Sequence, residues 1–239
     1  MTEAPVPIAV LAGGLATRLG PAALSVPKSL IEVEGEPFIA HQLRLLRRQG
    51  LTRVLLCVGH LGELIREAVG DGSSYGLRTE FVFDGPSPLG TAGAVKNALP
   101  LLAEVFYVLY GDAYLPCDFG AALAAHRDSG RLALMTVFRN DDRWDRSNVE
   151  YLGGQIRSYD RRSPSSLRRY IDYGLGVFRR QAFEFVPSGR AYDLGSLYRT
   201  LIEHGELAAH EVGERFYEIG SPAGLEEFRS YLAGSRSGG

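Results

Sequence analysis

The feature that most constrains this chain is the run Ile8-Ala9-Val10-Leu11-Ala12, unbroken in apolar residues and followed at once by Gly13-Gly14. Apolar residues without alternation read as a strand buried on both faces. A strand of that kind belongs to a parallel sheet, and parallel neighbours need helical crossovers. The next hundred residues supply them. Helical spacing marks Phe38 to Arg48, with Gly50 as the stop. Arg53 to Val58 then reads as a strand, Glu63 to Val69 as a helix and Thr79 to Phe83 as a strand. Thr91 to Leu99 reads as a helix ended by Pro100, and Val105 to Tyr110 as a strand closing on Gly111-Asp112. Strand and helix alternate over short connections, the pattern of a right-handed βαβ series.

After Leu132 the chain becomes strand-rich, with runs at Leu132 to Phe138, Val149 to Leu152, Gln155 to Tyr159 and Tyr173 to Phe178. Gly153-Gly154 fits a tight hairpin turn. Helices are expected at about 194–204 and 222–232, before a Gly/Ser tail at 233–239 expected to be disordered. No repeat or linker divides the chain, so one α/β domain over 1–232 is the expectation.

Composition removes several function classes. The formal net charge is −2 with acids and bases mixed, and without a basic block nucleic acid is a poor partner. No apolar run approaches the ~20 residues of a membrane span. Met1 to Pro7 lacks the charged and apolar regions of a secretory signal, which makes the cytoplasm the expected location. Cys57 and Cys117 are expected to be buried reduced thiols. The five histidines are scattered, without metal-ligand spacing. A Ser-His-Asp hydrolase finds no support in the pattern.

The chemistry-bearing stretch is Leu11-Ala12-Gly13-Gly14-Leu15-Ala16-Thr17-Arg18-Leu19. A glycine-rich turn at the carboxyl end of a buried strand lets backbone N–H groups approach phosphates. It is neither a G-x-G-x-x-G fingerprint nor a P-loop. Arg18 adds a planar fork of donors suited to phosphate oxygens. Lys28, fixed by Pro27, is a second candidate cation. Each alone also reads as an ordinary turn with a solvated charge.

Together these segments resemble a family. L-A-G-G-x-x-T-R-L followed by Pro27-Lys28-Ser29-Leu30 resembles the nucleotide-binding signature of the sugar-phosphate nucleotidyltransferases. Pro88-Leu89-Gly90-Thr91-Ala92-Gly93-Ala94 is similar to that family's L-G-T-A/G-G segment beneath the base. Tyr110-Gly111-Asp112 resembles its G-D, and Phe216-Tyr217-Glu218-Ile219-Gly220-Ser221-Pro222 its W-x-D-I-G-T-P. The matches keep family order from about Ile8 to Leu232.

The resemblance implies a Rossmann-like three-layer nucleotidyltransferase fold with a mostly parallel mixed central sheet. A nucleotide-binding half would occupy about 8–130 and a sugar-binding half about 131–232. It implies nucleotide contacts from Leu11, Ala12, Gly13, Gly14, Thr17, Pro88, Gly90 and Thr91. Arg18 would hold the outer phosphates and Lys28 the α-phosphate, while Asp112 and Glu218 would hold Mg²⁺. Arg18, Lys28 and Asp112 form the implied catalytic set. On the sugar side, Asp145 to Val149 falls at R-Y-G-x-V, Tyr159-Asp160-Arg161 at F-x-E-K and Asp172-Tyr173-Gly174 at N-A/G-G. These segments offer Asn148, Asp160, Arg161, Asp172 and Gly174 to the sugar phosphate. Three departures stand out: Ala16 for Gly, Glu218 for Asp and Arg161 for Lys.

The implied partners are a nucleoside triphosphate and a sugar 1-phosphate, with a homodimer left open. The short chain leans towards the heptose-1-phosphate guanylyltransferase and N-acetylmuramate-1-phosphate uridylyltransferase groups. GTP with D-glycero-D-manno-heptose 1-phosphate is the leading pair; uridylyl, cytidylyl and thymidylyl transfer stay open. A noncatalytic nucleotide-sugar-binding module is the reading from another class, and a glycosyltransferase lacks its D-x-D.

Overall fold

The structure, a computed structural model, describes residues 5–14, 26–163 and 165–236. In chain order the elements are β1 (Ile8–Leu11), β2 (Glu32–Val33), β3 (Glu36–Pro37), α1 (Phe38–Arg48), β4 (Arg53–Val58), α2 (Gly62–Val69) and β5 (Arg78–Phe83). There follow α3 (Gly90–Ala98), β6 (Val105–Tyr110), β7 (Ala113–Tyr114), α4 (Phe119–Ser129), β8 (Ala133–Arg139), β9 (Val149–Leu152) and β10 (Gln155–Tyr159). The chain closes with β11 (Tyr170–Arg179), α5 (Leu194–Glu203), β12 (Leu207–Val212), β13 (Tyr217–Glu218) and α6 (Pro222–Arg236).

The unbroken apolar run at β1 has the expected cause. It lies between two parallel partners, Ile8 facing Val54 of β4 on one side and Tyr107 of β6 on the other. Ile8 and Val10 enter one core with Ile39 and Leu43 of α1, Ile65 of α2 and Phe119 of α4. Ala9 enters the opposite core with Val95 of α3 and Leu197 and Leu201 of α5. Helices therefore cover both faces, giving three layers.

Nine strands form the main sheet among the described residues, with β10-β9-β11-β6-β1-β4-β5 as its continuous path and β8 and β12 joined through β11. Strands β6, β1, β4 and β5 are parallel. β11 attaches antiparallel to β6, so one sheet continues from the first half of the chain into the second. From β1 the chain steps through β4 to β5, then returns to place β6 on the other side of β1. Such a reversal opens a crevice at the carboxyl ends of the strands, where ligands bind in open α/β sheets. A third cluster, Phe38, Tyr114, Ile219 and Phe228, pins α6 over β7 and β13.

The structure departs from the sequence reading in several places. α4 was not expected; its small apolar residues hide the helical period, and Asp118 starts it by accepting from the Ala121 N–H at 3.1 Å. β12 was also unexpected, being only partly buried along most of its length. The β2–β3 hairpin turns on Glu34-Gly35, both at positive φ. Finally, α6 runs to Arg236, so the tail expected to be disordered from 233 is helical for four more residues. Its Gly234 costs a helix only about 1 kcal/mol, too little to stop it. Gly153 and Gly154 do form the β9–β10 turn, both at positive φ, and both cysteines are free and buried.

Candidate active site

Two adjoining cavities, of about 300 and 290 Å³, open along the carboxyl ends of the central strands and share Lys28, Tyr110 and Asp112. The first is built from chain turns. Leu11, Ala12, Gly13 and Gly14 line it directly after β1, and the Ala12 N–H donates to the Cys57 carbonyl at 2.8 Å, extending the β1–β4 ladder. A Cβ on Gly111 would stand 2.6 Å from the Leu11 carbonyl oxygen, so only glycine lets the end of β6 approach β1 this closely. Gly90 has φ +72° and lies against the Tyr192 backbone. The Tyr192 carbonyl accepts from the Ala92 and Gly93 N–H groups, and the Thr91 hydroxyl accepts from the Leu194 N–H. Pro88, Gly90 and Thr91 thus form a fixed wall of the same cavity.

Asp112 sits between two buried supports. Gln42 of α1, with no exposed surface, donates to the Tyr110 carbonyl at 3.1 Å and the Ala113 carbonyl at 2.7 Å, clamping the turn on both sides. The short β7–β13 pair then sets Glu218 opposite Ala113, and the Ile219 N–H donates to the Asp112 carbonyl at 3.0 Å. Two acids far apart in sequence become neighbours. Lys28 Nζ donates to Asp112 Oδ2 at 3.0 Å. The Glu218 carboxylate accepts from the Gly220 N–H and from the Ser221 hydroxyl.

Gly220 leaves a notch between these charges. A Cβ there would stand 2.6 Å from Glu218 Oε2, 3.5 Å from Asp112 Oδ2 and 3.2 Å from Lys28 Nζ. Two carboxylates flanking one glycine suit a hard divalent cation. No third His, Cys, Asp or Glu joins them among the described residues. Mg²⁺ fits such a donor set, since it takes one or two carboxylates and completes its shell with phosphates and water.

The second cavity is lined by side chains. Asn148, Arg161, Asp172 and Gly174 all reach it, with Asp145 beside them. Asp172 and Gly174 lie on an irregularity of β11, where the pairing with β8 shifts between Asp172 and Gly176 and Gly174 has φ +104°. Asn148 Oδ1 accepts from the Asp172 N–H at 2.9 Å, and Asp172 Oδ1 from the Gly174 N–H at 3.1 Å. Burial pushes the Asp172 carboxyl up to about 6, against the opposing pull of the Arg161 guanidinium and the Gly174 N–H. The Asp145 loop is tied down by Asn140, which donates to the Asp145 carbonyl at 2.6 Å. Arg215 stacks 3.3 Å over the Trp144 ring, joining this loop to the segment that carries Glu218.

Some expected residues fall elsewhere. Thr17 and Arg18 lie outside the described residues. Asp160, expected on the sugar side, does not line the cavity. Just beyond β10, Arg161 lines the cavity, while Asp160 accepts from the Arg162 N–H at 2.8 Å and pairs with Arg168 at 3.6 Å. Sequence reasoning in turn missed Asp84, Tyr110 and Gln42. Asp84 carried a signal like that of Asp112, an acid at the carboxyl end of a parallel strand. Gly72-Ser73-Ser74-Tyr75-Gly76 spells G-x-S-x-G, yet it forms a 3-10 turn ahead of β5 rather than a strand-to-helix elbow.

Residues 8–149 match the family model described as nucleotidyl transferase, which is more than half of the chain. The chain belongs to the nucleotidyl transferase family. It is 29% identical over 213 residues to UTP–glucose-1-phosphate uridylyltransferase of Synechocystis sp., over 82% of this chain and 55% of that protein. The chain thus spans about half the length of that relative. It is 27% identical over 236 residues to N-acetylmuramate alpha-1-phosphate uridylyltransferase of Neisseria meningitidis serogroup B, over 95% of this chain and 97% of that one. The crystal structure of HddC from Yersinia pseudotuberculosis complexed with GMP-PN shares the fold, with a TM-score of 0.81 at 22% identity over 95% of this chain and 99% of that chain. No helix among the described residues is long and apolar enough to cross a membrane.

Proposed function

We propose that this nucleotidyl transferase family member joins a nucleoside triphosphate to a sugar 1-phosphate and releases pyrophosphate. The observation that carries the reading is the meeting of the two cavities at Lys28, Tyr110 and Asp112. A triphosphate in the first cavity and a sugar phosphate in the second would bring their phosphates together there. The attacking oxygen of the sugar phosphate forms a bond to the α-phosphorus, and the bond to the pyrophosphate leaving group breaks. Positioning and charge neutralisation supply most of the acceleration in such transfers.

Lys28 is the cation for the α-phosphate and is held at 3.0 Å from Asp112 until substrate competes for it. Asp112 and Glu218 would hold Mg²⁺, which when bound neutralises charge on the phosphate oxygens. The glycine turn after β1 offers backbone N–H groups to the remaining phosphates. Arg161 serves the sugar phosphate, while Asp172 and Asn148 serve the sugar hydroxyls. The ribosyl and base portions lie along Pro88, Gly90 and Thr91. Within this reading GTP and a heptose 1-phosphate are the favoured pair. Support comes from the Pro-Leu-Gly-Thr-Ala-Gly run and from the fold shared with HddC, whose structure holds GMP-PN.

The test is pyrophosphate release in Mg²⁺ with GTP, UTP, CTP and dTTP, each against a panel of sugar 1-phosphates. Release that needs both substrates is expected. Tight nucleotide binding with no release from any pair would favour a noncatalytic binding module instead.

A further inference from the structure

We propose that Arg215 and Trp144 are positioning residues that form a strut, through which a sugar phosphate and a divalent cation strengthen each other's binding. The inference rests on the roles given above to Glu218 and to the second cavity. Neither residue of the strut lines either cavity. Residues 213–216 lead from β12 to β13 without regular structure. Along this stretch Phe216 turns into the core, 6.1 Å between ring centres from both Phe138 and Tyr173. Arg215 and Tyr217 share the other side, as alternation requires. The Arg215 guanidinium carbon lies 3.3 Å from the centre of the Trp144 ring and 4.9 Å from that of Tyr217. Arg215 also pairs with Glu227 of α6. A planar, weakly hydrated guanidinium is suited to such stacking. Glu218 follows three residues later.

At the other end of the strut, the 140–148 loop holds its own shape. Buried Asn140 accepts from the Trp144 N–H at 3.3 Å and donates to Ser147 Oγ at 3.1 Å. The Ser147 N–H donates to Asp142 Oδ1 at 2.7 Å, and the Asp142 N–H returns a bond to Ser147 Oγ at 3.0 Å. Asp141 and Asp142 stand at φ +46° and +58°, in the left-handed region that most side chains avoid. Strain of this kind concentrates at ligand clamps. The loop is thus a preformed unit that presents Asp145 and Asn148 to the second cavity.

Trp144 remains 44% exposed, so the stack and its ion pair add little to global stability. Their effect is local. The strut ties the position of the loop to that of the segment carrying Glu218. A sugar phosphate held by Asp145 and Asn148 fixes Glu218 through it, and a cation held by Glu218 fixes the loop in return. Coupling of this kind is reciprocal by linkage.

Trp144 is the only tryptophan in the chain, so its fluorescence reports the strut alone. Mg²⁺ titrated into the full chain, by itself and with GTP, UTP, CTP or dTTP present, should change that emission saturably. Glu218→Gln and Arg215→Met should each remove the change. Emission that ignores Mg²⁺ under all of these conditions overturns the inference. In pyrophosphate release, Arg215→Met and Trp144→Ala should each raise by about 10-fold both the KM for the sugar 1-phosphate and the Mg²⁺ needed for half-maximal rate. The KM for the triphosphate and the melting curve should stay parental. Because the two residues act as a unit, the double variant should cost no more than either single one. Trp144→Phe keeps a ring under the guanidinium and should recover most of the loss. Additive losses, or a sugar-phosphate KM that rises without the Mg²⁺ requirement, would overturn the coupling. If no pair of substrates releases pyrophosphate, the transfer reading fails, while the emission titration still decides the strut.

Discussion

The two cavities sit side by side on one sheet and are built in opposite ways. The first is shaped by backbone: glycines after β1 and β6, a left-handed Gly90 and a helix start held by the Tyr192 carbonyl. The second is shaped by side chains, Asp145, Asn148, Arg161 and Asp172, delivered by a loop, a strand end and a bulged strand. Backbone suits what every triphosphate shares. Side chains suit what differs among sugars. The pair at Lys28 and Asp112 is where the common half meets the variable one.

Substitutions at that junction should hurt most. Asp112→Asn is expected to lower turnover by about 10²–10³-fold or more, as removing one transition-state contact does elsewhere, with an unchanged melting curve. Near-parental turnover at ordinary Mg²⁺ would remove Asp112 from the site. Gly220→Ala comes next. Its backbone is not at positive φ, so the methyl is unwelcome only because it enters the notch beside Glu218 and Lys28. Turnover should fall by about 10-fold to 100-fold and the Mg²⁺ requirement rise. A purely structural glycine would lower the melting temperature instead.

Gln42→Leu tests whether the clamp on the Asp112 turn matters to both halves. Two carbonyl oxygens would lose their donor, costing about 1 to 3 kcal/mol of stability. Turnover should fall with little change in the KM for either substrate. If only one KM moves, the turn is not the shared centre.

Asp172 separates the halves by pH. An ordinary aspartate ionises near about 3.9, whereas this carboxyl is pushed up to about 6. Between those values the folded state holds a proton that the unfolded state has released, so stability falls as pH rises through the window. Asp172→Asn should therefore raise the melting temperature at about pH 7.5, and the gain should shrink towards about pH 4. The same variant should raise the KM for the sugar phosphate and leave that for the triphosphate alone. The smallest effect belongs to the cysteines. Burial pushes both thiols up to about 12, so alkylating agents at neutral pH should leave Cys57 and Cys117 unlabelled until the protein is unfolded.

The contrast between the cavities also explains what the sequence made legible. The β1 run, the glycine turns and the acid after β6 are local signals, each visible within a few residues. Strands of the parallel half were found for the same reason. The β7–β13 pair is two residues on each side, and its partners are distant in sequence, so the closeness of Glu218 to Asp112 could be inferred only by resemblance. Asp160 and Arg161 are adjacent, and a pattern of charges cannot say which one turns inward. Gln42 lies within an apolar helix face, where its spacing resembles that of any core residue. Asp84 was open to reading, because it follows β5 as Asp112 follows β6.

The central claim is that both cavities act on a single α-phosphorus. Triphosphate labelled at the α-phosphorus, and separately at the γ-phosphorus, can be incubated with Mg²⁺ and the productive sugar 1-phosphate, and the products separated. The account predicts α-label in the sugar nucleotide and γ-label in pyrophosphate, both only when the sugar phosphate is present. Release of γ-label as inorganic phosphate, or its appearance on the sugar, would contradict it.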